Sequence, residues 1–343
     1  MVEPVISVRP AIALSLVGLL ASAAQADPTV LRMATVAPAG TGWARELNAF
    51  AREIESNTNG QLRVKFYFGG IAGDDVQMGE RIRRDQLDGA ASAGPLCEQL
   101  APTMRVLRVP GILTDYREAF YTLSRLNTTL EEEVRKHGHT LINTAPVGPH
   151  ILFTRNPVRS LADLRKTKLW VWEQDDVLRA ELKEFGVPFE PLPLDAGAKA
   201  FDEHRIDGFA APAQVTLAFQ WSIRARYATD LRLDMINACV VLSNRAWDRL
   251  SPEERTFVKA AGAKLGQRFV ELGEQMDGKL MGGLFERQGL QTIPLSRTFQ
   301  SEFFSLAQST REKMGDRLVP REPLERVLGI LADFRAERQA TER

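Results

Sequence analysis

Residues 29–75 read TVLRMATVAPAGTGWARELNAFAREIESNTNGQLRVKFYFGGIAGDD, and this stretch decides the fold class. Residues 29–36 form a β-rich run, closed by the turn Ala37-Pro38-Ala39-Gly40. From Thr41 onwards, Trp43, Leu47, Phe50, Ala51 and Ile54 fall at helical spacing, and Gly60 ends the helix. Leu62, Val64, Phe66 and Phe68 then alternate with Arg63, Lys65 and Tyr67, the pattern of a half-buried strand. Gly69, Gly70 and Gly73 make a loop, and Asp74 or Asp75 can cap the next helix. Strand, helix, strand, helix predicts an α/β architecture with a largely parallel sheet.

The same alternation restarts downstream. Thr140–Ala145 and Ile151–Thr154 read as strands on either side of a Pro/Gly joint, Pro146 to Pro149. Strands are expected at Leu169–Trp172 and Phe189–Leu192, and helices over residues 175–185 and 195–204. Two segments echo each other: Gln86-Leu87-Asp88-Gly89-Ala90-Ala91 and Arg205-Ile206-Asp207-Gly208-Phe209-Ala210. Two similar lobes would produce that echo. Ser251-Pro252-Glu253-Glu254 is a helix start, with Ser at the cap, Pro at the first position and Glu at the third. The pattern runs on to about Gln288, softened at Gly273 and Gly282-Gly283. At 1.5 Å per residue such a helix spans roughly 50 Å, longer than one small domain, so it is expected to lie across both lobes. Pro323 to Arg338 reads as a terminal amphipathic helix.

Composition removes several functions. The 343 residues carry 44 Lys+Arg against 44 Asp+Glu, so no basic excess marks a nucleic-acid binder. The apolar fraction of 44% is that of a folded chain, large enough for two domains. Residues 1–26 read as a cleaved secretory leader: Arg9, an apolar run from Ala11 to Ala24, and Ala24-Gln25-Ala26 as the cleavage site. The mature chain then starts near Asp27, outside the cytoplasm. Cys97 and Cys239 can pair there or remain buried thiols.

A search for chemistry finds little. His137-Gly138-His139 has no third ligand nearby, so no metal site is expected. There is no nucleophile elbow around Ser92, no P-loop and no dinucleotide fingerprint at Gly40-Thr41-Gly42. No catalytic residue and no cofactor is assigned. The unusual feature is aromatic. Lys168-Leu169-Trp170-Val171-Trp172-Glu173 puts two tryptophans on one face of a strand. Phe209 and Pro212 end another strand, and Phe219, Gln220 and Trp221 follow on a helix. Such rings usually fill a core. Two on one face at a strand's end point to a pocket wall.

These motifs resemble those of TRAP-transporter solute-binding proteins of the DctP type. The resemblance rests on Leu31–Pro38 with the Gly40–Trp43 turn, Gly69–Gly73, Leu107–Leu113 with Val109-Pro110, Ser160–Leu164, Ile206-Asp207-Gly208 and Trp247–Glu253. It implies a two-lobed periplasmic-binding-protein fold, a long helix spanning both lobes, and a ligand held between them. Residues 27–147 and 238–275 would form lobe 1 and residues 148–237 lobe 2. Residues 276–343 would pack across both. It also implies a transport role in the periplasm with membrane permease subunits as partners, and no enzyme activity.

Three positions depart from the family pattern. Where its members place a ligand-gripping Arg, this chain has Trp170. A second polar position aligns near Pro149 or His150. After Asp207-Gly208, Phe209, Ala210 and Ala211 replace polar residues before Pro212. A buried carboxylate without its cation costs about 2–5 kcal/mol, whereas a buried methylene gains about 0.8. The pattern therefore predicts a hydrophobic or amphipathic ligand. Trp170, Trp172, Phe209 and Pro212 would line the cleft, with Phe219 and Trp221 on its far wall. Trp43 and Pro38 would face them, and His150 or Gln220 would anchor a polar group. The Lys168–Glu173 strand and Leu217–Trp221 also resemble a subgroup that works with a tetratricopeptide-repeat lipoprotein. One alternative keeps a small organic acid, held by a relocated cation such as Arg32 or Arg155. Another is a secreted enzyme on the same scaffold, which requires two titratable groups within hydrogen-bond reach deep in the cleft.

Overall fold

The structure, a computed structural model, describes residues 27–341. The leader read in residues 1–26 lies outside the described residues. Strands run in chain order as β1 (Thr29–Ala34), β2 (Leu62–Tyr67), β3 (Gly89–Ser92), β4 (His139–Pro149), β5 (Ile151–Thr154) and β6 (Leu169–Trp172). They continue as β7 (Phe189–Leu192), β8 (Gly208–Ala211), β9 (Tyr227–Thr229), β10 (Met235–Ser243) and β11 (Gln291–Ile293). They build two sheets, ordered β2-β1-β3-β10-β4 and β11-β9-β5-β8-β6-β7. Each sheet is the spine of one lobe.

The first helix, Gly42–Asn57, is capped by Thr41, whose side chain accepts from the Ala44 N–H. It buries Ala44, Leu47, Phe50 and Ile54, the face its periodicity predicted. Asp74 caps the next helix, Asp75–Arg83, in a reciprocal capping box with Gln77.

The echoed segments occupy equivalent places. Asp88 precedes β3, which lies between parallel β1 and antiparallel β10. Asp207 precedes β8, which lies between parallel β6 and antiparallel β5. Asp88 Oδ2 accepts from the backbone N–H of Arg32 at 2.8 Å, and Asp207 Oδ2 from that of Lys168 at 3.0 Å. The glycine that follows lets the antiparallel neighbour close in. A Cβ on Gly89 would stand 2.1 Å from the Val241 carbonyl, and one on Gly208 2.5 Å from that of Phe153. The Asp-Gly pair thus starts the same strand of each lobe.

Two findings revise the reading of the crossings. The Pro/Gly stretch 146–149 does not break the strand: β4 runs unbroken from His139 to Pro149. It is an edge strand with a register shift opposite Ile236/Asn237, where proline's missing N–H is tolerated. Met235–Asn237, placed with lobe 2 by the sequence division, pair with this extension of β4 in the first sheet.

The chain passes between lobes at residues 149–151 and 230–235. There the His150 N–H donates to the Asp234 carbonyl (2.9 Å) and the Leu233 N–H to the His150 carbonyl (3.0 Å). The third crossing is the helix Pro252–Lys279, started by the Ser251/Glu254 capping box. Its Val258, Ala261, Leu265 and Phe269 join the core of the first lobe. It continues into a wide turn, Leu280–Phe285, bent at Gly282, whose Leu280 and Phe285 join the core of the second. The helix therefore spans both lobes. Beyond it, Phe299 and Phe303 pack into the second lobe, and Val327 and Leu331 of the terminal helix into the first. Cys97 and Cys239 form a disulfide, which ties the helix Pro95–Leu100 to β10. Among the described residues, no helix is long and apolar enough to cross a membrane.

Candidate functional site

A cleft lies between the two sheets, with about 1120 Å³ of empty space that includes open solvent. The first lobe contributes the segments leaving the C-terminal ends of β1 and β3, with Thr35–Ala37 and Ala93–Pro95. The second contributes the ends of β6 and β8. The crossing strands supply Pro146, Val147, His150, Ile236 and Ala238. Carboxyl ends of parallel strands are where open α/β sheets bind ligands, because the chain turns away and leaves a crevice.

The aromatic wall follows from the strand pattern. Trp170 and Trp172 lie on the cavity face of β6. Trp170 meets Trp221 edge-on at 4.8 Å between ring centroids, and Trp221 also touches Phe219 at 6.0 Å. Pro212, Phe219 and Trp221 line the far wall, and Trp43, Leu47 and Phe269 face them from the other side.

Three residues proposed from sequence stand elsewhere. Phe209 is buried in the interior of the second lobe, stacked on Phe153 at 5.5 Å and lying behind Trp221 at 4.9 Å. Every residue of β8 is buried, so alternation alone does not show which face meets the cleft. Its neighbours Ala210 and Ala211 reach the cavity instead. Gln220 is exposed with a left-handed backbone (φ 57°) that ends its helix, and its carbonyl accepts from Arg224. Pro38 serves the turn before the first helix: its carbonyl accepts from the Thr41 hydroxyl at 2.8 Å. The relocated cations are also elsewhere. Arg32 pairs with Asp88 at 2.8 Å, and Arg155 lies over the Phe201 ring.

Sequence reasoning missed the polar floor of the cavity. Arg108 is 2% exposed and meets three carboxylates. Its Nε donates to Asp234 at 2.9 Å, and its Nη1 to Glu98 and Asp175, both at 2.9 Å. Its Nη2 donates to the second Asp175 oxygen, also at 2.9 Å. His150 Nδ1 lies 2.5 Å from the other Asp234 oxygen. Glu181 is buried beside the group. Burial raises the Glu181 carboxyl well above its ordinary range, and the charge of Asp234 adds to that. Burial likewise raises Glu98, against the pull of Arg108. Burial works against Asp234 too, but His150 and Arg108 outweigh it and hold that carboxyl below its ordinary value. The available signal was a lone Arg inside the apolar run Val106-Leu107-Arg108-Val109-Pro110. A charge there is buried only if it is paired.

His150 and Asp234 are two titratable groups in contact at the cavity, the feature the enzyme alternative required. Among the described residues no hydroxyl or thiol is bonded to His150. The hydroxyl of Ser92, on the cavity wall, donates to Asp75 at 2.5 Å. Among the described residues no group of His, Cys, Asp and Glu could hold a metal ion.

The model of the bacterial extracellular solute-binding protein family 7, DctP, matches residues 33–317. The chain belongs to this family. DctP-family proteins are extracytoplasmic binding proteins of transport systems, not enzymes. One curated relative is the ectoine/5-hydroxyectoine-binding periplasmic protein UehA of Ruegeria pomeroyi, 24% identical over 216 residues, which are 62% of this chain and 63% of that protein. Among solved structures, a TRAP periplasmic solute-binding protein of Desulfovibrio salexigens with bound orotic acid has a TM-score of 0.82 at 16% identity. It is matched over 89% of this chain and 99% of its own. Another, from Xanthobacter autotrophicus with bound β-D-galacturonate, has a TM-score of 0.80 at 20% identity, over 88% and 99%. The two-lobed fold is therefore that of TRAP solute-binding proteins.

Proposed function

We propose that this DctP-family protein captures a hydrophobic or amphipathic ligand between its lobes and delivers it to TRAP permease subunits. The leader read in residues 1–26 would place it in the periplasm. The likeness of the Lys168–Glu173 strand to one subgroup adds a tetratricopeptide-repeat lipoprotein as partner.

One observation carries the reading: the cavity's walls are aromatic and aliphatic, and its charged lining residues, Arg108 and Asp175, are bonded to each other. An apolar ligand gains about 25 cal/mol for each Å² of apolar surface it buries. A carboxylate would enter a floor that already holds more acids than cations. Trp43, Pro212, Trp170, Trp172 and Trp221 supply the walls, and His150 is a polar group that a ligand head could meet.

A second reading is a small organic acid gripped by Arg108. Its support is the bound orotic acid and β-D-galacturonate of the two solved relatives. Mass spectrometry of ligand extracted from the purified full-length chain decides between them. Release of a lipid-like molecule supports the first; a short, polar acid would overturn it.

A further inference from the structure

Asp175 stands at the head of the helix Asp176–Phe185 on the second lobe, where its Oδ1 also accepts from the Leu178 N–H at 2.9 Å. Arg108 belongs to the first lobe. Between them run two parallel bonds, both 2.9 Å, from Nη1 and Nη2 to the two Asp175 oxygens. This is the fork by which a guanidinium recognises a carboxylate. Both side chains lie on the cavity floor. We propose that Asp175 is the specificity-determining residue of the cleft: it presents to Arg108 the carboxylate that a ligand would otherwise bring, and so excludes acids while admitting neutral long-chain molecules. The inference rests on the reading of this cleft as the ligand site.

The surroundings leave an incoming acid little to gain. Asp234 holds Nε and Glu98 shares Nη1, so one guanidinium already serves three carboxylates. An arriving carboxylate meets that guanidinium together with the three acids it already serves, all of them nearly buried. Repulsion between like charges grows as the local dielectric falls. His150 lies against Asp234, and the charge of Arg105 acts on Glu98, so the cations near Arg108 already face acids of the cluster. A neutral ligand faces none of this and loses nothing by leaving the fork intact.

The test compares two probes of equal chain length, methyl octanoate and octanoate, titrated at neutral pH into refolded, ligand-stripped protein and followed by tryptophan fluorescence. The wild type should bind the ester at least about ten-fold more tightly than the acid. Asp175→Asn keeps the helix cap, since Asn and Asp cap equally well. It removes one negative charge and should narrow the ester-to-acid ratio by about ten-fold or invert it. Should that variant fail to fold, Glu98→Gln, which removes another acid from Arg108, carries the same expectation. Equal binding of both probes by the wild type, or an unchanged ratio in the folded variant, overturns the role of Asp175 and leaves the apolar cleft standing. If the wild type binds neither probe, the apolar reading and this inference fall together.

Discussion

Trp172 of the second lobe lies against Gly94 of the first: a Cβ at position 94 would stand 3.1 Å from the Trp172 Cζ3 atom. The backbone there is extended (φ 174°), so a larger residue is opposed by the closeness of the ring and not by conformation. Gly94→Val would push the two lobes apart at the cavity wall. Its affinity for ligand should fall by about ten-fold, and the overpacking should cost about 1–3 kcal/mol of stability. Equilibrium titration beside thermal unfolding checks both halves.

Trp221 is held by rings on three sides: Trp170 at 4.8 Å, Phe209 at 4.9 Å and Phe219 at 6.0 Å. It is both lobe core and cavity wall, at 3% exposure. Trp221→Ala should cost about 3–5 kcal/mol in urea unfolding and abolish ligand retention. A loss under about 1 kcal/mol would mean the rings repack freely.

Asp277, near the end of the crossing helix, accepts a bond from the Tyr116 hydroxyl at 3.1 Å while its other oxygen has no partner among the described residues. Burial pushes its carboxyl up to about 6, against the bond from Tyr116 and the charge of Arg232; Asp230 adds to the rise. Between its ordinary value and about 6, the folded protein keeps a proton that the unfolded chain has released. Asp277 therefore supports the fold at low pH, and that support is lost as pH rises through about 6. Asp277→Asn should stabilise the protein at pH 7.5 by an amount on the order of 1–3 kcal/mol and leave it unchanged near pH 4. Thermal unfolding of both proteins across that range reads the difference.

The Cys97–Cys239 disulfide joins Cα atoms 5.8 Å apart across a sequence separation of 142. Cross-linking so long a loop restricts the unfolded chain. Replacing both cysteines with Ala should lower unfolding stability by about 2–5 kcal/mol, and a reductant should shift the wild type by a similar amount. Coincident urea curves with and without reductant would refute this.

The sequence pattern carried further for the scaffold than for the site. The helical stripe from Trp43 to Ile54, the Ser251–Glu254 start and the echoed Asp-Gly pairs each rest on local rules, and each appears where local chemistry put it. The wall positions Trp170, Trp172 and Trp221 were legible because large rings cluster at strand ends. Phe209 misled because both faces of β8 are covered. The charged floor was hidden for a different reason. Asp175 and Asp234 lie 67 and 126 residues from Arg108 in the chain, and only the tertiary fold brings each of them, with the nearer Glu98, to 2.9 Å from its guanidinium.

The Arg108–Asp175 fork also bears on the empty protein. Its halves ride on different lobes, yet Arg108 keeps Asp234 and Glu98 as partners whether or not Asp175 stays. If the lobes part, only Asp175 would exchange a buried partner for water, and the attraction it gives up is largely matched by the hydration it recovers. A tie of that kind sits near balance, so the greasy surface covered by a guest would be enough to favour the joined form.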